Sequence, residues 1–229
     1  MLCIGHRGAM GHEPENTLLS VAKALALGVD WIEIDVYAVE GELVVIHDDE
    51  LDRTTNGTGL VMEQSLAYLR SLDAGKGERI PLLREVFELV DRRVGINVEL
   101  KGPETAVPTL QFLQSYLASG WDINQILLSS FRHDELAVAR QLHAEVPLGV
   151  LLWGNMDVAI PTAQQLRALS VNPWYKQLTE PFVQEAHDHG FLVLPYTVNE
   201  PDDIAQLRGW GVDGVFTNYP ERVLSHAAG

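Results

Sequence analysis

The feature that most constrains this chain is a rhythm. Short apolar runs recur from end to end, at 2–4, 31–36, 43–46, 94–100, 126–129, 148–152, 169–171, 191–195 and 214–217. Between most of them the apolar spacing switches to that of helices, at 17–27, 103–118, 134–143, 163–167, 180–189 and 202–209. Asn16 or Thr17 caps the first of these helices and Gly28 closes it. Each crossover helix returns the chain to the same end of the sheet, so the strands must run parallel. If 43–46 continues the 31–36 strand after a turn at Glu40-Gly41, eight strand–helix units result. Eight units in 229 residues predict an α/β fold, a closed (β/α)8 TIM barrel in a single domain, 1–229. A doubly wound open sheet is the alternative the same alternation admits.

One stretch breaks the rhythm. Residues 48–81 are rich in Thr, Asn and Gly ("DRTTNGTG") and carry a short helical piece around 63–72. They read as a loop insertion after the second strand, lying over the barrel mouth.

Charge narrows the partners. Asp and Glu total 32 against 16 Lys and Arg, a formal charge of −16. Such a field repels nucleic acid and anionic membrane surfaces, so neither is expected as a partner and no stable membrane association is expected. A small anionic substrate is still admissible where local cations or a metal reverse the sign inside one cleft. Cys3 is the only cysteine, which suits a reducing compartment. The first residues, MLCIGHRGAM, lack the basic and long apolar regions of a signal peptide, and no run reaches membrane-spanning length. A cytoplasmic location is the expectation. Homo-oligomerisation is left open.

Side chains alternate along a strand, so in "WIEIDVYA" Trp31, Glu33 and Asp35 share one face, and Ile32, Ile34 and Val36 the other. In a barrel the aliphatic face packs under helices and the acidic face points inward. In "GINVELKG" the same logic turns Asn97, Glu99 and Lys101 inward, near the C-terminal strand ends where barrel active sites lie. Glu33, Asp35 and Glu99 then offer three oxygen ligands from two strands, suited to one divalent cation, Mg²⁺ or Ca²⁺. The plainer readings are a solvated strand end and a Glu99–Lys101 salt bridge.

Two histidines end strands beside this cluster: His6 in "GHRG" and His47 in "VVIHDD". Imidazoles titrate near neutrality and can serve as base and acid in phosphoryl transfer. Arg7 can grip phosphate oxygens in a fork, and Lys101 can contact another. Glu15 is placed to reach the site through hydrogen bonds. The first loop's His12 is left outside it. His133, His143, His187, His189 and His226, on helices or the tail without matched carboxylates, read as structural.

With HRG…PENT, E-x-D, HD…LDRTT, E-L-K and TVN in this order, the chain resembles the glycerophosphodiester phosphodiesterase family, from Ile4 to Pro220. It looks most like the short bacterial cytoplasmic members. The resemblance implies a TIM barrel that hydrolyses glycerophosphodiesters to sn-glycerol 3-phosphate and an alcohol with a divalent metal. His6 and His47 match the family's general acid and base, Glu33, Asp35 and Glu99 its metal ligands, and Arg7 and Lys101 positions near the phosphate. It also implies attack by the glycerol 2-hydroxyl through a cyclic phosphate. Direct attack by water is an alternative, and the residues do not assign the two histidine roles.

Two positions depart from the family's usual pattern. Tyr196 stands where Trp commonly precedes TVN; it keeps an aromatic wall for the substrate but adds a hydroxyl. Asn218 stands where the last strand commonly ends in Thr-Asp. Neither is expected to touch the histidines or the metal ligands. Competing readings are a lysophospholipase D or phospholipase C-like phosphodiesterase on the same barrel, and a non-catalytic binding barrel. The first needs an apolar rim, for which Leu60, Val61 and Met62 offer only a small tip. The second would more naturally have lost one of the five core residues.

Overall fold

The computed structural model describes residues 1–225. Its strands are β1 (Leu2–Gly5), β2 (Trp31–Val39), β3 (Glu42–Val45), β4 (Gly95–Leu100), β5 (Ile126–Ser130), β6 (Leu148–Leu152), β7 (Ser170–Pro173), β8 (Leu192–Val193) and β9 (Gly214–Thr217). All but β3 run parallel, in the spatial order β8-β7-β6-β5-β4-β2-β1-β9. The two ends of this sheet meet through backbone hydrogen bonds: Asp213 N–H to Val193 O (3.1 Å), Phe216 N–H to Pro195 O (3.0 Å) and Val198 N–H to Phe216 O (2.8 Å). The sheet is therefore a nearly closed eight-stranded barrel, not an open doubly wound sheet.

The turn expected at Glu40-Gly41 is present, but 43–46 does not continue the barrel strand beyond it. β3 folds back antiparallel on β2, with Val45 opposite Val36. Helices return the chain after the strands, at Leu18–Leu27, Leu83–Val90, Ala106–Ala118, His133–Leu142, Ala159–Leu166, Glu180–Asp188, Pro201–Gly209 and Pro220–Leu224. Thr17, not Asn16, caps the first: its hydroxyl accepts the Ser20 N–H at 3.1 Å. The helix expected at 163–167 starts earlier, at Ala159, because Pro161 falls in its first turn, where a missing N–H costs nothing. Leu83–Val90 was not anticipated, although Leu83, Val86, Phe87 and Val90 are buried at helical spacing.

Strand alternation sorts the two faces as expected. Ile32, Ile34 and Val36 are fully buried beneath the helices. Inside, Ile4, Leu127, Leu194 and Phe216 pack with Trp31 into an apolar floor. Gly95 lies opposite Trp31 on the neighbouring strand, and a Cβ there would come within 2.3 Å of the indole. Only glycine admits Trp31 to the barrel interior.

The insertion has an apolar centre of its own. Leu51, Val61, Leu69 and Ile80 are buried together with Tyr37 and Val44 of the hairpin. This packing holds the loop against the barrel and fixes the residues it contributes to the mouth. Among the described residues no helix is long and apolar enough to cross a membrane.

One reading is corrected here. His187 does have a carboxylate partner: its Nε2 lies 2.9 Å from Asp213 Oδ2, which also accepts the Val193 N–H. The pair stands at the start of β9, at the end of the barrel opposite the mouth, and so keeps a structural role. His226 lies outside the described residues.

Candidate active site

The turn after β1 is built to deliver two side chains. Arg7 and Gly8 both have positive φ, +51° and +82°, and a Cβ on Gly8 would lie 2.5 Å from Ser20. This tight turn sets His6 and Arg7 on the C-terminal rim of the barrel. The Arg7 backbone N–H donates to Glu33 Oε2 at 2.8 Å. Its guanidinium Nη1 donates to Glu15 Oε1 at 2.7 Å, and Nε stands 3.4 Å from Asp35 Oδ2. Glu15 thus reaches the site through hydrogen bonds, as expected.

β2 and β4 pair in register, placing Asp35 beside Glu99 and Glu33 beside Asn97. One oxygen of each of Glu33, Asp35 and Glu99 lies within 4.8 Å of the others. All three are buried. Burial, followed by the charges of the neighbouring carboxylates, pushes the Glu33 carboxyl well above its usual range and Glu99 up to about 7. Glu33 Oε1 and Asp35 Oδ1 have no hydrogen-bond partner. Orphaned buried oxygens in a mutually repelling set cost stability unless a cation compensates. The donor set therefore fits a hard divalent ion. The Glu99–Lys101 salt bridge does form, at 2.8 Å, but as part of this cluster rather than in place of it.

Sequence reasoning missed the residue that orients Asp35. Asn16, at φ +57°, donates from Nδ2 to Asp35 Oδ2 at 2.8 Å and accepts the Asp35 N–H at 3.3 Å. Its positive φ frees it from capping the helix. Asn97 has neither side-chain atom paired, is 1 % exposed and lines the same cavity.

The two histidines are held differently. His6 Nδ1 lies 2.7 Å from Asn218 Oδ1. This corrects the expectation that the Asn218 departure avoids the histidines. Burial, with help from the Arg7 charge, pulls His6 down to about 4. His47 Nδ1 meets the Asp48 carboxylate at 2.5 Å, and Nε2 lies 3.1 Å from Lys101 Nζ. Burial lowers His47 too, opposed by the charge of Asp35.

A further residue ties these groups together. Arg53, from the insertion, bonds Asp48 through Nε at 2.5 Å and both Glu15 oxygens at 2.8 Å. The chain His47–Asp48–Arg53–Glu15–Arg7 thus spans the mouth. Burial raises the Glu15 carboxyl, yet the Arg53 hydrogen bonds and the Arg7 charge outweigh it and hold the group at about 2. Nothing short of the folded insertion reveals this partner.

Part of this cluster opens onto one cavity of about 450 Å³. His6, Arg7, Glu33, His47, Glu99 and Lys101 line one side. Phe131, Trp153 and Tyr196 line the other, and Phe216 belongs to the floor. The Tyr196 hydroxyl donates to Leu152 O at 2.7 Å, so the ring is anchored in the wall.

A carboxylate nest, two imidazoles and two cations on one barrel mouth define a centre for cleaving phosphate esters. Similarity to known proteins narrows the class. Residues 6–222 match the model of the glycerophosphoryl diester phosphodiesterase family. A glycerophosphodiester phosphodiesterase of Bacillus subtilis is 34 % identical over 248 residues, covering 96 % of this chain and 84 % of that protein. Another, from Caldanaerobacter subterraneus subsp. tengcongensis, is 33 % identical, covering 98 % and 96 %. The solved structure of an Oleispira antarctica phosphodiesterase, in complex with the product sn-glycerol-3-phosphate, superposes with a TM-score of 0.91 at 32 % identity, covering 99 % of this chain and 96 % of that one. The chain belongs to the glycerophosphoryl diester phosphodiesterase family and is a phosphodiester hydrolase.

Proposed function

We propose that this protein hydrolyses glycerophosphodiesters to sn-glycerol 3-phosphate and an alcohol, with a divalent cation held by Glu33, Asp35 and Glu99. The observation that carries the reading is the buried triad with two oxygens lacking a hydrogen bond, of which Glu33 and Glu99 line one cavity together with both histidines. The product bound to the Oleispira relative supports the same substrate class. The cation, Mg²⁺ or Ca²⁺, supplies neutralisation of the phosphodiester and of the charge that builds on its oxygens.

The different partners of the two histidines support one division of their roles, His6 as base and His47 as acid. An amide oxygen only accepts, so Asn218 holds a proton on His6 Nδ1 and leaves Nε2 as a lone pair. With its pKa near 4, His6 is neutral at pH 7 and acts as the base on the glycerol 2-hydroxyl. The oxygen attacks phosphorus, and the leaving alcohol takes its proton from His47. Burial and the Arg7 and Lys101 charges lower the pKa of that imidazole overall, while the Asp35 charge and the Asp48 hydrogen bond favour its charged form. A phosphate that engages Arg7 and Lys101 would weaken those opposing charges. Water then opens the cyclic phosphate with the roles reversed. Arg7 and Lys101 bind phosphate oxygens. Lys101 now stands against His47 Nε2, and a phosphate that draws it away frees that nitrogen for proton transfer.

The test is release of sn-glycerol 3-phosphate from glycerophosphocholine and glycerophosphoethanolamine by metal-stripped protein, with Mg²⁺ or Ca²⁺ restored. Release only on adding back a cation is the expected result. Undiminished release in the presence of chelator would overturn the metal assignment.

A further inference from the structure

Four consecutive strands end in aromatic residues. Phe131 follows β5 directly, Trp153 follows β6, and Trp174 follows β7; Tyr196, beyond β8, bridges Trp174 in parallel. Trp174 stacks on one face of Trp153, with centroids 4.7 Å apart and planes 17° from parallel. Phe131 meets Tyr196 edge to face at 5.6 Å. Trp153 is 67 % exposed and lines the cavity entrance. A large aromatic surface left open to water needs an explanation, and here it is rigidly backed.

We propose that this aromatic half of the mouth is the subsite for the leaving alcohol and that it selects a quaternary ammonium group. The inference rests on the phosphodiesterase reading above. With the phosphate held on the charged side, the alcohol projects towards the rings. Indole is the strongest aromatic partner for a cation, and the stacked Trp174 keeps Trp153 in place without further ordering cost. The aromatic side already receives one cation at its border, where Lys101 Nζ lies 5.8 Å from the Phe131 centroid.

The same surface discriminates between cations. A primary ammonium carries three N–H donors and loses strong hydration unless acceptors replace it. The carboxylates that line the cavity, Glu33 and Glu99, belong to the charged side and face the cation site. A trimethylammonium group has no donors to satisfy and gives up little hydration on entering the aromatic face. Choline esters therefore fit better than ethanolamine esters.

The experiment compares three esters of sn-glycerol 3-phosphate: with choline, with ethanolamine, and with 3,3-dimethylbutanol, the neutral isostere of choline. Release of glycerol 3-phosphate is followed with saturating cation, for the parent, Trp153→Leu and Trp153→Phe. The expected kcat/KM for the choline ester is about tenfold above either of the others. That ratio collapses in Trp153→Leu and returns largely in Trp153→Phe. Quenching of tryptophan fluorescence by tetramethylammonium, weaker in Trp153→Leu, reports the subsite without turnover. If no ester is cleaved, the reaction class itself fails. Equal cleavage of all three overturns the aromatic subsite and leaves the reaction standing. Equal preference for choline and its neutral isostere overturns cation recognition, and lysophospholipid substrates would then account for an apolar wall.

Discussion

The two halves of the barrel mouth are built on opposite principles. On the side of β9, β1, β2 and β4, every catalytic candidate is charged or titratable, and two carboxylate oxygens are left without a hydrogen bond in the interior. On the side of β5 to β8, the side chains are rings that pack on one another, and the Tyr196 hydroxyl is satisfied by Leu152. The charged half is costly to fold without its ligands, whereas the aromatic half is at rest. Changes on the charged side should thus trade stability against activity, while changes on the aromatic side should redirect selectivity.

The largest effect is expected from the histidines. His6→Ala or His47→Ala should lower kcat by about 10³-fold, the range for a positioned acid or base. Neither carries an orphaned charge, so metal affinity and Tm should stay close to the parent's. Calorimetric cation binding measured beside turnover separates the two quantities. If either variant kept parental turnover, the two-histidine assignment would be wrong.

Glu99→Gln sharpens the contrast because activity and stability should move in opposite directions. Loss of one ligand charge should weaken cation binding and turnover together, by about 10²-fold or more. The metal-free protein should instead become more stable. In the folded chain the Glu99 carboxyl is raised from 4.5 to about 7, so the folded state holds that proton more tightly than the unfolded state does. Stability is therefore lost as pH rises from about 4.5 through 7. Glutamine removes that loss. The Tm advantage of the variant, measured with chelator, should be absent below pH 4.5 and grow to roughly 10 °C above pH 7, at about 2–4 °C per kcal/mol for a chain of this size. A variant less stable than the parent at pH 8 would mean that the salt bridge to Lys101 dominates the cluster.

What could be read from the sequence divides along the same line. The barrel rhythm, the inward carboxylates and the strand-end histidines all follow from local periodicity, in which the position of each residue along its own strand decides where it faces. The charged half was therefore legible in its principal members, His6, Glu33, Asp35, His47, Glu99 and Lys101. Its supports were not. Arg53 joins Asp48 to Glu15 only because the insertion folds over the mouth. Asn16 reaches Asp35 because a left-handed backbone turns it away from the helix it precedes. Of the aromatic half only Tyr196 was anticipated, because Trp153 and Trp174 follow separate strands and become one surface only when β6 and β7 pair.

The smallest effect tests the support that sequence reasoning misjudged. Asn218 is the neutral partner of His6, and Asn218→Asp places a carboxylate on the same Nδ1. An adjacent negative charge favours the imidazolium and should raise the His6 pKa from about 4 by one unit or more. The base works only when neutral, so the acid limb of kcat/KM, measured with saturating cation, should move up by the same amount. At pH 5 the variant should be about twofold slower than the parent for a one-unit shift, and more for a larger one. At pH 8 both are fully deprotonated, and the stronger base should make the variant equal or slightly faster. A limb that stays in place, or moves down, would show that His6 does not set it and would transfer the role of base to His47.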